Sequence, residues 1–187
     1  MNAYDFDGTI YDGDSTRDFF FHCLRRYPGL WRFALSLIAP AVRLALRRDD
    51  LTGFKRAFFR FLRFVPNAEA EVSAFWARKS AKIKPFYIAQ RRPDDLILSA
   101  SPEFLLRPAL AELGVSGLIA TRVELPSGEL VGLNCKGEEK LRRLRAQVPG
   151  ARIDAFYSDS LSDAPLARIA KAAYLVAGDR IAAWPRG

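Results

Sequence analysis

Asp5 and Asp7, in the run Tyr4-Asp5-Phe6-Asp7-Gly8-Thr9, are two carboxylates one residue apart, preceded by an apolar step and closed by a glycine. Where a chain leaves a sheet, two such side chains can converge on one substrate atom. One can attack while the other gives and takes a proton. Three other places could supply partners. Ser99 ends the apolar run Leu96-Ile97-Leu98 and stands just before Ser101-Pro102, which reads as a helix start with Ser101 as N-cap and Pro102 in the first helical position. A hydroxyl beside a helix N-terminus suits an anion, although by itself Ser-Ala-Ser-Pro is an ordinary cap. Asn134-Cys135-Lys136-Gly137-Glu138-Glu139-Lys140 offers two lysines that could neutralise a nucleophilic carboxylate and phosphoryl oxygens. Taken alone, it reads as a solvated helix face with Glu139 and Arg143 paired. Tyr157-Ser158-Asp159-Ser160-Leu161-Ser162-Asp163 follows another apolar run and places two more acids at a strand exit. Oxygen ligands gathered from two strand ends, with room for water and phosphate, are what Mg²⁺ requires.

The elements that must position these residues are legible in outline. Strands are expected at 96–99, 117–121, 153–157 and 174–177, alternating with helices over 102–113, 136–147 and 164–172, and a hairpin turn falls at Pro126-Ser127-Gly128. That alternation predicts a mostly parallel sheet covered on both faces, which binds ligands beyond the carboxyl ends of its strands. Residues 14–92 break the pattern. Their periodicity predicts helices over 17–27, 30–47, 52–64 and 68–83, with breaks at Pro28-Gly29, Asp49-Asp50, Pro66-Asn67 and Pro85. The expected organisation is an α/β core of residues 1–13 and 93–187 with a helical insertion over 14–92.

Length and composition agree with one substantial core carrying an insertion, and a half-hydrophobic chain excludes disorder. The net charge of +8 is divided unequally: residues 14–92 hold seventeen Lys/Arg against six Asp/Glu, and the rest hold twelve against fifteen. Met1 leads directly to Asp5 without a signal-like stretch, and Cys23 and Cys135 form no metal-type cluster; both point to a cytoplasmic protein with reduced thiols. Arg32 and Arg43 leave only Phe33 to Val42 uninterrupted, far short of the roughly 20 apolar residues of a membrane span.

Taken in order, the four segments resemble the haloacid dehalogenase-like superfamily of phosphohydrolases, with a Rossmann-like parallel sheet core and an inserted helical cap subdomain. The insertion sits where phosphoserine-phosphatase-like members carry their cap. Ser99-Ala100-Ser101-Pro102-Glu103 and Tyr157-Ser158-Asp159-Ser160 look like a bacterial branch that includes phosphatidylglycerophosphatase C-like proteins. The resemblance implies a phosphatase with Asp5 as nucleophile, forming an aspartyl-phosphate, and Asp7 as acid and base. It implies that Ser99 and a lysine bind the phosphoryl group; Lys140 is favoured over Lys136, both being present. Mg²⁺ would be held by Asp5, the Asp7 backbone carbonyl and Asp159, with Asp163 a ligand or supporting acid. Asp7 argues against a dehalogenase, which has no alkoxide to protonate.

The insertion interleaves aromatic residues with arginines: Phe19, Phe20, Phe21, Trp31, Phe33, Phe54, Phe58, Phe59, Phe61, Phe64, Phe75 and Trp76. An aromatic core with a solvated basic face is the preferred reading. The competing one is a surface that rests on anionic lipid, giving a peripheral contact at the inner membrane face. His22 reads as a packed residue of the insertion. The expected partner is a phosphorylated small molecule or lipid, with no nucleic acid. A nucleic-acid-binding module would account for the basic charge but leave four acids at strand ends without purpose. A peripheral membrane adaptor with a vestigial site would account for the insertion alone.

Overall fold

The computed structural model describes residues 1–185. Strand β1 (Ala3–Tyr4) leads into five helices over the insertion: α1 (Ser15–Arg26), α2 (Leu30–Ser36), α3 (Ile38–Ala45), α4 (Leu51–Phe58) and α5 (Ala68–Lys79), followed by α6 (Pro85–Gln90). The remainder alternates: β2 (Leu96–Pro102), α7 (Glu103–Glu112), β3 (Gly117–Val123), β4 (Leu130–Val131), α8 (Glu138–Gln147), β5 (Ala155–Ser158), α9 (Ala164–Ala167), β6 (Ala172–Ala177) and β7 (Arg180–Ala183). The strands form one sheet in the order β4-β3-β2-β1-β5-β6-β7. The five central strands are parallel and the two outer ones antiparallel. This is the α/β architecture, a mostly parallel sheet flanked by helices, expected from the alternation.

Period-two burial explains why each strand sits where it does. Leu96, Leu98, Ile119 and Phe156 face α8 and α9, packing with Leu141, Leu144 and Leu166. Tyr4, Ile97 and Ala120 face the other way, onto Leu105, Leu106, Ala109 and Leu110 of α7. The first two crossovers, from β1 to β2 and from β2 to β3, run to one side of β1. The chain then returns to place β5 and β6 on the other side, so β1 lies at the switch point of the sheet.

The aromatic residues of the insertion are mostly core. Phe19 meets Phe75 edge-on at 5.6 Å, Phe20 meets Phe61 at 5.1 Å, and Trp76 donates its Nε1–H to Leu105 O at 2.7 Å. These rings continue the face of the sheet covered by α7. His22 is buried against Glu71, Nε2 to Oε2 at 2.8 Å, as a packed residue.

Four local expectations are corrected. The helix read over 30–47 is two helices meeting at Leu37, because Pro40 has no N–H to give and its ring opposes the carbonyl of Ser36. The segment over 52–64 ends as α-helix at Phe58 and continues as a 3₁₀ turn from Phe59 to Phe64. The break at Pro85 stands, but the residues after it, for which no helix is expected, form α6 with Pro85 in its first turn. Strand β2 stays extended through Pro102, so α7 begins at Glu103 and Ser101 does not cap it. Among the described residues no helix is long and apolar enough to cross a membrane.

Candidate active site

The site is built at the carboxyl end of β1. The Asp5 N–H donates to Tyr157 O at 2.8 Å, which locks the chain beside β5 for one more residue before it turns away. Asp5 is therefore buried at a strand end, with its carboxylate facing Lys140 of α8: Nζ to Oδ1 is 2.8 Å. The same ammonium reaches Asp163 Oδ2 at 2.7 Å. Burial works against the Lys140 charge, yet Asp5 and Asp163 outweigh it and hold its proton far more tightly than usual. Burial also pushes Asp5 up, with Lys140 opposing and Asp163 reinforcing the rise. Lys136 is exposed, and no hydrogen bond of its side chain to Asp5 or Asp163 is formed among the described residues. Four residues along the chain separate Lys140, inside the site, from the exposed Lys136.

Asp7 is held by α1 and β2 and not by Lys140. Its Oδ1 accepts the N–H of Ser15, the first residue of α1, at 2.6 Å. Its Oδ2 accepts a hydrogen bond from Ser101 Oγ. Thr16 Oγ1 lies 2.6 Å from the same Ser101 hydroxyl. Ser101 is thus drawn from helix capping to a carboxylate, the stronger acceptor. Burial pushes Asp7 up to about 6, while Ser101 and Ser15 hold it down. A carboxyl poised there can hold or release a proton near neutral pH.

Gly8 is required by sterics. It adopts φ +72°, and a Cβ there would lie 2.2 Å from Asp159 Oδ2. The Asp159 carboxylate therefore rests directly over the turn, and its N–H donates to Thr9 Oγ1 at 2.9 Å. Burial and the charge of Asp5 push Asp159 up to about 6. Asp163 accepts from Ser158 Oγ at 2.8 Å and leaves its buried Oδ1 without a partner. Ser99 is buried at the end of β2, where its hydroxyl accepts the Ser101 N–H at 3.0 Å.

The structure thus gathers Asp5, Lys140 and Asp163 through direct contacts, lays Asp159 against Asp5, and places Asp7 on the side of α1 with Ser101. Three partners were not legible. Ser101 reads as a cap, and the signal that could find it is its offset of two from Ser99 on an extended strand. Lys84 is buried and donates to Gly8 O and Gly178 O, each at 2.7 Å, pinning the turn after Asp7. Lys55, on α4, reaches Ala100 O at 2.6 Å and Asn134 Oδ1 at 2.9 Å. In one sequence these lysines are indistinguishable from the other cations of the insertion.

The profile of the haloacid dehalogenase-like hydrolase family matches residues 3–168, from β1 through α9. The chain belongs to the haloacid dehalogenase-like hydrolases. It is 32% identical over 195 aligned residues to the protein CicA of Caulobacter vibrioides, covering 90% of this chain and 82% of that one. Among solved structures of the same fold, a Bordetella pertussis protein of unknown function superposes with a TM-score of 0.70 at 20% identity, covering 90% of this chain and 85% of the other. A phosphoserine phosphohydrolase-like protein of Francisella tularensis superposes with a TM-score of 0.55 at 12% identity, covering 92% and 86%. The narrower likeness to phosphatidylglycerophosphatase C-like proteins rests on the motifs alone.

In this hydrolase the donor set is hard: carboxylates and carbonyls with no imidazole or thiolate among the contacts of Asp5. No group of three or more His, Cys, Asp or Glu side chains in metal-binding array exists among the described residues. That is compatible with Mg²⁺, which keeps several waters and takes one or two carboxylates together with substrate oxygens. Two adjacent carboxylates that each raise proton affinity nearby, and an orphaned Asp163 Oδ1, fit a hydrated dication.

Proposed function

We propose that the chain is a phosphomonoester hydrolase that passes the phosphoryl group through Asp5. The observation that carries this reading is the Asp5–Lys140 ion pair at the end of β1, with Asp7 held two residues away by Ser15 and Ser101. An Asp5 carboxylate oxygen attacks phosphorus and the ester P–O bond breaks. Asp7 gives its proton to the departing oxygen. Asp7 then takes a proton from water as that water attacks phosphorus, and the P–O bond to Asp5 breaks to release phosphate. Lys140 and Ser99 balance and orient the phosphoryl oxygens. Lys136 takes no part in this step.

Asp5, Asp159 and the Asp7 carbonyl would hold Mg²⁺, with Asp163 a supporting acid beside them. The Asp7 side chain is engaged elsewhere. The ion would supply charge stabilisation for the phosphoryl oxygens. In this reading residues 14–92 act as a cap and residues 1–13 and 93–187 as the catalytic core. The two linkers between these parts are paired: the Asp12 N–H donates to Lys82 O and the Lys84 N–H to Ile10 O, each at 2.8 Å. The reading is tested by phosphate release from phenyl phosphate with and without Mg²⁺. Wild type should be Mg²⁺-dependent and Asp5→Asn inactive; equal release by both proteins sinks it.

A peripheral contact with anionic membrane is favoured by one specific observation. Trp31, Leu35, Ile38, Val42 and Leu46, spaced by four, three, four and four residues on α2 and α3, are all about half exposed or more. None of the eight residues of α3 is buried. Arg32, Arg43, Arg47 and Arg48 flank the stripe, and no acid occurs from Trp31 to Arg48. Apolar groups at helical spacing with a cationic rim suit the face of an anionic bilayer. This narrows the lipid reading from the aromatic residues in general to two helices. Co-sedimentation with anionic against neutral vesicles tests it, and no preference for the anionic ones counts against it.

A further inference from the structure

Lys55 stands out among the cations of the insertion. Its ammonium is carried inward from α4 and, among the described residues, is hydrogen-bonded only to neutral oxygens, Ala100 O and Asn134 Oδ1. Among the described residues no carboxylate comes within ion-pair distance of it, whereas Lys140 has two. A half-buried ammonium without a counter-ion is costly, and an anion is the ligand that relieves it.

Position says which anion. Ala100 lies between Ser99 and Ser101, and Ser101 holds Asp7. Lys55 therefore approaches the site on the side of Asp7, which faces the departing oxygen, while Lys140 is occupied with Asp5. Lys136, which does not reach Asp5, is tied through its N–H to Asn134 O at 2.9 Å, in the loop that also supplies the Lys55 acceptor. It is exposed, with no acid in ion-pair range among the described residues. Burial pushes Lys55 down to about 8; Asp7 and Asp14 oppose, and Lys136 adds to the fall. The Lys55 ammonium and the Asn134 amide thus meet on the Asp7 side of the site, with the charge of Lys136 near enough to act on Lys55.

We propose that Lys55, Lys136 and Asn134 form a second anion subsite, so that the preferred substrate is a phosphomonoester whose leaving group carries another anionic group. The inference rests on the phosphatase reading and narrows its substrate class. A carboxylate or a phosphodiester would satisfy the same donors.

Three esters of one carbon skeleton separate these sources: glycerol phosphate, whose leaving group is neutral; phosphoglycerate, which adds a carboxylate; and glycerol bisphosphate methylated on one phosphate, which adds a phosphodiester. Wild type should favour one of the charged esters over glycerol phosphate by about tenfold or more in kcat/KM, the scale of a charge-assisted hydrogen bond. The favoured ester identifies the anion. Lys55→Met should bring that ratio to within about twofold of unity, and Lys136→Met should lower it by about threefold. If Lys55 only fastens the insertion to the core, its loss slows all three esters equally and the ratio stands, which overturns the inference. Equal rates on the three esters in wild type do the same while leaving the phosphatase reading intact. If Lys55→Met does not fold, Lys136→Met, an exposed change, decides by the same ratio. Hydrolysis of none of the three, with phenyl phosphate still turned over, also overturns it; failure on phenyl phosphate as well removes the parent reading.

Discussion

The sheet ends and the α2–α3 pair treat charge in opposite ways. At the sheet ends charged groups are buried and held by one another: Lys140 between Asp5 and Asp163, and Arg143 between Glu139 and the carbonyls of Ala120 and Leu133. On α2 and α3 the apolar side chains are exposed, and Arg32, Arg43, Arg47 and Arg48 have no carboxylate partner in the structure among the described residues. The first arrangement fixes atoms for chemistry and tolerates little change. The second leaves groups free to meet something outside the chain. A single substitution should therefore cost activity in one region and only association in the other.

The largest effect belongs to Lys140→Met. It leaves two buried carboxylates without their cation, and breaking a buried pair in this way costs about 3–5 kcal/mol. Thermal unfolding should register that loss, and steady-state hydrolysis of phenyl phosphate should fall about a hundredfold or more. If Lys140→Met keeps its activity, the site is centred elsewhere.

Ser101→Ala should be milder and more specific. Losing a hydroxyl that holds Asp7 down raises the carboxyl above about 6, so the kcat/KM profile should move to higher pH, with a fall of about tenfold at its maximum. A profile that keeps its position would show that Ser101 does not orient Asp7.

Across the comparison, Leu35→Asp with Ile38→Asp should abolish sedimentation with anionic vesicles and change stability by only about 0.5 kcal/mol or less per site. A large loss of stability would mean that the stripe is packed in solution.

The smallest effect concerns Glu139, which Arg142 and then Arg143 hold down to about 2. A lowered folded-state value gives stabilisation that is present above the ordinary glutamate range and lost as pH falls towards about 2. The difference in Tm between wild type and Glu139→Gln should therefore be widest above roughly pH 5 and narrow on acidification.

Much of the core was legible because burial there has a simple period. Leu96 to Leu98 and Gly117 to Thr121 read as strands, and the hairpin through Ser127 places β4 beside β3, because alternation and turn residues act locally. β7 was missed although Gly178-Asp179 is a hairpin turn of the favoured kind, because Arg180 to Ala183 is exposed and carries no alternation. Asp5 and Asp7 announced themselves by spacing. Ser101 did not, since a serine before a proline is as good a helix cap as it is a carboxylate donor, and only the approach of α1 decides between them. Lys55 and Lys84 owe their places to contacts across 45 to 94 residues, which no local pattern encodes. The break at Leu37 follows from Pro40, a signal that the apolar periodicity over 30–47 does not carry.

The central claim is that Asp5 carries the phosphoryl group. Rapid acid quench of wild type during turnover of phenyl phosphate with Mg²⁺, followed by peptide mass spectrometry, tests it most directly. The account predicts one phosphorylated peptide, containing Asp5, that is absent from Asp5→Asn and accumulates in Asp7→Asn, whose acid and base function is gone. Turnover with no phosphorylated Asp5 in any of the three proteins, or phosphate found on another residue, would contradict it.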